Sequence, residues 1–320
     1  MTNWEKFETA MLVAAVRQAP SVHNTQPWVL ELRDHGASLY ERLDRSLPRH
    51  DPTGRDRMIS CGAALTNLLL AVRVLGWDAD FLPFPDQAEH PDEVARVVTG
   101  ERRPPSDVDL ARYGAIARRS SYHSPFANEP VPEEVRDELI AGAAAGGVQT
   151  HLVHGQQEAR TLAELIGHTG QVLRDDRGYQ RELAAWTGAR DPDARWRPSL
   201  PWTLVRSSTT LPAPEVLAAR VSRETVLLLE TPQDGRSDHL LTGCVLQDIW
   251  LAAVHAGLVA SVLTQPLRLA PVRDGLVERL GLTGFPQVML RLGYPFDLRP
   301  PGPRPPAEDA VGHEREGSTS

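Results

Sequence analysis

Apolar residues recur at helical spacing in the first stretch of the chain. Phe7, Met11, Leu12, Ala15 and Val16 form a stripe that predicts a helix over residues 4–19. Two strand-like runs follow, 28–33 and 38–43, joined by the hairpin signal Asp34-His35-Gly36. Residues 47–57 are polar and read as loop. From 61 to 77 almost every position is apolar, with Gly62 and Gly76 near the ends, which predicts a helix buried on most sides. Short strands are expected at 79–84 and 94–98, and Pro104 and Pro105 mark a connector over 101–107.

A second cycle begins near Leu110. Helices are predicted over 110–118, over 133–144 with Pro132 at its start, and over 158–173. Strands are expected at 149–153 and 225–230. Residues 179–217 are rich in proline, arginine and tryptophan and read as irregular. A second almost wholly apolar helix is predicted at 238–257, then strands at 258–264 and 287–292. The sequence from Pro300 onward is rich in Pro, Glu and Gly and reads as a disordered tail. The two apolar helices align on each other: Gly62, Leu65, Leu70, Ala71 and Gly76 match Gly243, Leu246, Leu251, Ala252 and Gly257 at one constant offset. Such self-similarity marks a duplicated unit. A helix apolar all round needs partners all round, and two of them packed together would supply these, as in a dimer fused into one chain. The expected division is 1–105 and 106–299 for the two halves, with 300–320 as the tail.

The densest chemistry lies between the first helix and the first strand, in Ala19-Pro20-Ser21-Val22-His23-Asn24-Thr25-Gln26-Pro27-Trp28. Pro20 stops the helix and Pro27 forbids another. What remains is a stiff loop of neutral hydrogen-bonding groups, suited to a planar heteroaromatic ligand, or else to its own backbone. The corresponding place in the second half, 143–149, lacks these groups. The second half instead opens with Arg118-Arg119-Ser120-Ser121, a phosphate-like donor set. Arg291, flanked by Val288, Met289, Leu290 and Leu292, is semi-buried by pattern and calls for an anion, either a ligand or an internal carboxylate. Each half keeps one part of a site.

Composition narrows the chemistry. Lys6 is the only lysine, which removes Schiff-base and phosphate-loop lysine mechanisms. A net charge of −8 argues against a nucleic-acid or anionic-membrane surface. No apolar run approaches a membrane span, and the N-terminal residues lack the shape of a signal peptide. Cys61 and Cys244 sit in apolar runs far apart and read as buried hydrophobes, so a cytoplasmic protein is expected. The histidines carry no metal spacing. His151 and His154 would fall on opposite faces of a strand, and no metal is expected. There is no Gly-x-Ser-x-Gly elbow and no Gly-x-Gly-x-x-Gly run.

Together, Pro20-Ser21-x-x-Asn24-x-Gln26-Pro27-Trp28, Arg118-Arg119-Ser120, Thr264-Gln265-Pro266 and the closing stretch from Pro286 to Pro295 resemble the flavin-dependent nitroreductase superfamily. The closing stretch resembles its Acg-like FMN-binding branch. The resemblance implies an α+β nitroreductase-like fold, duplicated so that one chain mimics a homodimer, with FMN between the halves. It implies phosphate contacts from Arg118, Ser120 and Arg291, and flavin contacts from Ser21 and Asn24. It also implies a backbone N–H at Thr264 or Gln265 facing the ring. Pro20, His23, Arg119 and Leu263 flank these positions and belong to the same expected FMN set. Tyr122 stands where the family has Arg or Lys, which puts a charge near the ring in doubt. The implied activity is NAD(P)H-dependent reduction of nitroaromatics, quinones or related small molecules, by a monomer or weak homodimer. The alternative is a flavin-storage protein, with 179–217 as a lid.

Overall fold

The computed structural model describes residues 4–34, 36–187 and 205–296. The first half runs α1 (Lys6–Arg17), β1 (Trp28–Arg33), β2 (Gly36–Glu41), α2 (Arg55–Val74), β3 (Trp77–Pro83) and β4 (Glu93–Arg102). After α3 (Asp107–Ile116) the second half runs α4 (Glu133–Ala145), β5 (Gln149–Leu152), α5 (Gly155–Asp175), α6 (Arg177–Thr187), α7 (Pro214–Val221), β6 (Thr225–Thr231), α8 (Arg236–His255), β7 (Val259–Leu263), α9 (Ala270–Leu280) and β8 (Phe285–Gly293).

Each half builds one antiparallel four-stranded sheet, ordered β1-β2-β4-β3 in the first and β5-β6-β8-β7 in the second. In both, the long apolar helix leaves the second strand and returns to the third. The sequence repeat is thus also a repeat of topology. Strands β6 and β8 alternate between two cores. Leu227, Leu229, Val288, Leu290 and Leu292 face the central helices, while Val226, Leu228 and Met289 face α5, α7 and α9. Burial on both faces explains why these strands are apolar at most positions, with Glu230, Gln287 and Arg291 as buried exceptions.

Helices α2 and α8 cross at the centre with their backbones in contact. A methyl group built on Gly62 would fall on the Leu240 carbonyl oxygen, and one built on Gly243 would fall on the Ile59 carbonyl oxygen. Two glycines are therefore required at the crossing. Polar side chains between the helices bond one another and the backbone: Gln247 Nε2 donates to Asn67 Oδ1 at 2.7 Å, Asn67 Nδ2 to the Ala15 carbonyl at 2.8 Å, and Thr66 Oγ1 to the Cys244 carbonyl at 3.0 Å.

Four sequence expectations need correction. Helix α2 starts at Arg55, inside the expected loop, because Arg55 and Asp56 are buried as a pair. Residues 179–187 are helical: Tyr179 and Leu183 are buried one turn apart on α6, and α7 covers 214–221. The expected lid tryptophans Trp196 and Trp202, like the expected tail, lie outside the described residues. Helix α9 was not anticipated, although Val272, Leu276 and Leu280 carry its stripe. Finally, α2 does meet the length and hydropathy of a membrane span, but 83% of that window is buried within the fold.

Candidate functional site

The loop after α1 is held in an uncommon backbone. His23, Asn24 and Gln26 all have positive φ, at 49°, 55° and 48°. Asn and His tolerate that region better than most residues, and such clusters persist only where the surroundings enforce them. Here the Ser21 hydroxyl accepts the Gln26 N–H at 2.9 Å and the Ser21 carbonyl accepts the Asn24 N–H at 3.0 Å. The Gln26 carboxamide reaches Asn24 Oδ1 and the Arg17 carbonyl, both at 3.4 Å. The local use of Ser21 foreseen from sequence is therefore real, though its hydroxyl proton is still available to a ligand.

His23 meets residues that the sequence did not single out. Its ring is edge-on to His50 at 5.0 Å, and His50 stacks on Tyr179 at 6.0 Å. Burial, then the neighbouring His50, lowers the His23 pKa to about 3, so His23 is neutral. His50 Nε2 lies 3.4 Å from Asp56 Oδ2, and both side chains are buried. Burial alone would raise the Asp56 pKa, but the Arg55 guanidinium and His50 hold it well below the usual carboxylate range. Arg55 then crosses to the second half, donating to the Leu267 carbonyl at 2.9 Å and the Thr264 carbonyl at 3.4 Å. Gln265 Nε2 donates to the Tyr179 hydroxyl at 3.1 Å. Helix α6 is fastened to the same place, its Glu182 carboxylate accepting the N–H groups of Arg49 at 3.0 Å and His50 at 2.7 Å.

The loop carrying Pro20, Ser21, His23 and Asn24 thus connects to Thr264 and Gln265 through His50, Asp56, Arg55 and Tyr179. Leu263 ends β7 with its side chain in the outer core. This leaves only its backbone for a ligand.

A second cluster forms farther back along β7. Ser121 bridges to Ala260, and the Tyr122 N–H donates to the Ala260 carbonyl at 2.8 Å, which lays residues 120–122 beside the strand. Ser261 pairs with Arg291 in register and its hydroxyl lies 3.3 Å from His123 Nδ1. Burial, and next the Arg291 charge, lowers the His123 pKa to about 4. Ser120 is half-buried here and Arg118 is exposed, its Nε 3.4 Å from the Gly114 carbonyl.

Three residues of the expected set have other partners. Arg291 is fully buried, not semi-buried, and its Nε and Nη2 both bond Glu224 at 2.7 Å; its guanidinium also lies over Phe126, 4.9 Å from the ring centre. The anion it calls for is in the protein. Arg119 lies over Trp250 at 4.5 Å and donates to the Gln18 carbonyl at 3.4 Å, so it clamps the second half to the entrance of the Ser21 loop. The Tyr122 hydroxyl donates to the Pro125 carbonyl at 3.1 Å and accepts the Phe296 N–H at 3.0 Å. His151 and His154 are not on opposite faces. Strand β5 ends at Leu152, His154 caps α5, and both imidazoles meet Glu158.

A comparison with protein families matches the Nitroreductase family over residues 115–294. A Mycobacterium tuberculosis protein named "Putative NAD(P)H nitroreductase" is 32% identical over 95% of this chain and 91% of its own length. Another from that organism, "Putative NAD(P)H nitroreductase acg", is 28% identical over 98% of this chain and 97% of its own. Among solved structures, an FMN-dependent nitroreductase of Mycobacterium smegmatis in complex with NADPH is similar over 65% of this chain and all of its own, at 18% identity and a TM-score of 0.44. An NADPH:FMN oxidoreductase of Vibrio harveyi complexed with NAD+ is similar over 66% of this chain and 80% of its own, at 16% identity and a TM-score of 0.39.

Proposed function

Because the chain belongs to the nitroreductase family, we propose that it is an NAD(P)H-dependent oxidoreductase that holds one FMN between its halves, and that residues 1–105 and 106–299 are those halves. The observation that supports this reading is the chain His50, Asp56, Arg55 and Tyr179, which links the Ser21–Asn24 loop of the first half to Thr264 and Gln265 of the second. Both ends of that chain offer neutral donors and acceptors, as a flat ring with a polar edge requires. His23 Nε2 is shut off from solvent and makes no hydrogen bond among the described residues, which fits a missing ligand group. At ~3.3 Å per residue, Ser261 stands roughly 7 Å from the strand's last residue, Leu263, and Gln265 follows in the next turn, which separates an anionic end from a ring end.

In this reading Arg118 and the Ser120 hydroxyl hold the phosphate, and Arg291 adds positive potential that Glu224 tempers. Ser21, Asn24 and the Gln265 backbone N–H hold the ring edge. Bound FMN would accept hydride from a nicotinamide and pass electrons to an acceptor. The chain's own part is to orient the ring and exclude water. Neither the neutral His23 nor the Asp56–Arg55 pair adds a net charge at the ring. Substrates are nitroaromatics, quinones or related small acceptors, taken by a monomer or a weak homodimer.

A second reading, flavin storage with little turnover, is favoured by α6, which Glu182 and Tyr179 fasten to Arg49 and His50 beside that site. One experiment separates the two. The protein is reconstituted with FMN and mixed with NADPH without oxygen. Rapid bleaching near 450 nm, on the order of seconds, is expected for the enzyme. A yellow protein that stays oxidised supports storage, and a colourless protein that takes up no FMN overturns both.

A further inference from the structure

His151, His154 and Glu158 offer three ligand atoms that all lie within 4.8 Å of one another, at the junction of β5 and α5. From this we infer that the chain carries a divalent metal site of the borderline class, Zn2+ or its first-row neighbours. The site is separate from the flavin site. In the order β5-β6-β8-β7, β5 stands three strand spacings from β7, on the order of 14 Å.

The donor set selects the metal. Two imidazole nitrogens and one carboxylate suit Zn2+, Co2+, Ni2+ or Cu2+, whereas Ca2+ and Mg2+ take oxygen ligands. The geometry is close to what Zn2+ needs. Bonds of about 2.1 Å in a tetrahedron set ligand atoms about 3.4 Å apart. His151 Nε2 lies 2.9 Å and His154 Nδ1 3.5 Å from Glu158 Oε2. The remaining adjustment falls to His154, whose ring is 74% exposed and free to turn. Its present contact, Nδ1 to the Leu152 carbonyl at 3.1 Å, is exchanged for the metal bond. Glu158 is set in place by the His154 backbone N–H at 3.0 Å. Water fills the fourth position on the open side. A bound ion ties the edge strand β5 to the start of α5.

The test is calorimetric titration of the untagged full chain with Zn2+, paired with Co2+ absorption spectroscopy. One equivalent at micromolar affinity is expected, with the intense visible bands of four-coordinate Co2+. His154→Ala, on an exposed side chain, should weaken binding by about tenfold or more while the circular dichroism stays unchanged. Glu158→Gln and His151→Ala should do the same. Three results would overturn the assignment: no binding at micromolar Zn2+, binding that all three variants leave intact, or displacement by millimolar Ca2+. None of these readouts depends on flavin or turnover.

Discussion

Replacing Glu224 by alanine tests both the fold and the reading of the site. Arg291 is fully buried on β8, and Glu224, with 6% of its side chain exposed, gives it two charge-assisted bonds of 2.7 Å. Removing the carboxylate takes away the bidentate anionic partner of a guanidinium inside the protein. Breaking a buried pair in this one-sided way costs about 3–5 kcal/mol. Two bonds to charged groups at roughly 1.5–3 kcal/mol each give the same range. Glu224→Gln keeps one acceptor, and about half the loss is expected. The assay is chemical denaturation of wild type and both variants, without FMN and with saturating FMN. If Arg291 adds its charge to the phosphate site, the bound phosphate replaces part of the missing carboxylate. The alanine variant should then lose less stability with FMN than without it. A loss under about 1 kcal/mol without FMN would refute the buried pair. An equal loss in both states would refute the phosphate role of Arg291 and leave Arg118 and Ser120 as the phosphate ligands.

Gly243→Ala sets a methyl group against the Ile59 backbone, 2.8 Å from its carbonyl carbon and 2.9 Å from its Cα. The two central helices must separate, so a loss of at least 1–3 kcal/mol is expected, on the order of other overpacked cores. Gly62→Ala should match it, and the double variant should cost less than the sum because one separation serves both. Equal denaturation midpoints for wild type and variant would contradict the crossing. Asp51 supplies a pH test. Burial, then the adjacent Asp56 charge, raises its pKa to about 6, above the ~3.9 of an unfolded chain. The folded state therefore holds this proton more tightly, and stability contributed by the protonated form falls as pH rises from about 4 through 6. Asp51→Asn mimics that form and should flatten this part of the melting-temperature profile. Parallel profiles for wild type and variant would show that Asp51 is not the group responsible.

What the sequence disclosed, and what it withheld, follows from range. The apolar repeat between Gly62 and Gly243 announced two central helices, because a stripe of small and apolar residues has few other uses. The Ser21–Asn24 loop was legible because prolines bound it. Strand β8 was legible as an apolar run. Its buried arginine was also visible, but the partner was not, since Glu224 stands 67 positions earlier and meets it only through the pairing of β6 with β8. Arg55 and Asp56 read as loop because two charges hide a helix start when each neutralises the other. Tyr179 and His50 are unremarkable alone, and only the packing of α6 on the first half joins them to Gln265. For His151 and His154 the expected strand runs one residue past the true end of β5 at Leu152, which reverses the side on which His154 emerges.

The crossing of α2 and α8 bears on how such a chain can change over generations. Each glycine makes room for the other helix's main chain, so no smaller residue at its counterpart can open space for a side chain at either position. Inheritance must treat the two sites as one unit, although they are encoded far apart. The loops at the periphery carry no such bond. Each is used once per molecule, and a lineage is free to rewrite one copy while leaving its sister untouched.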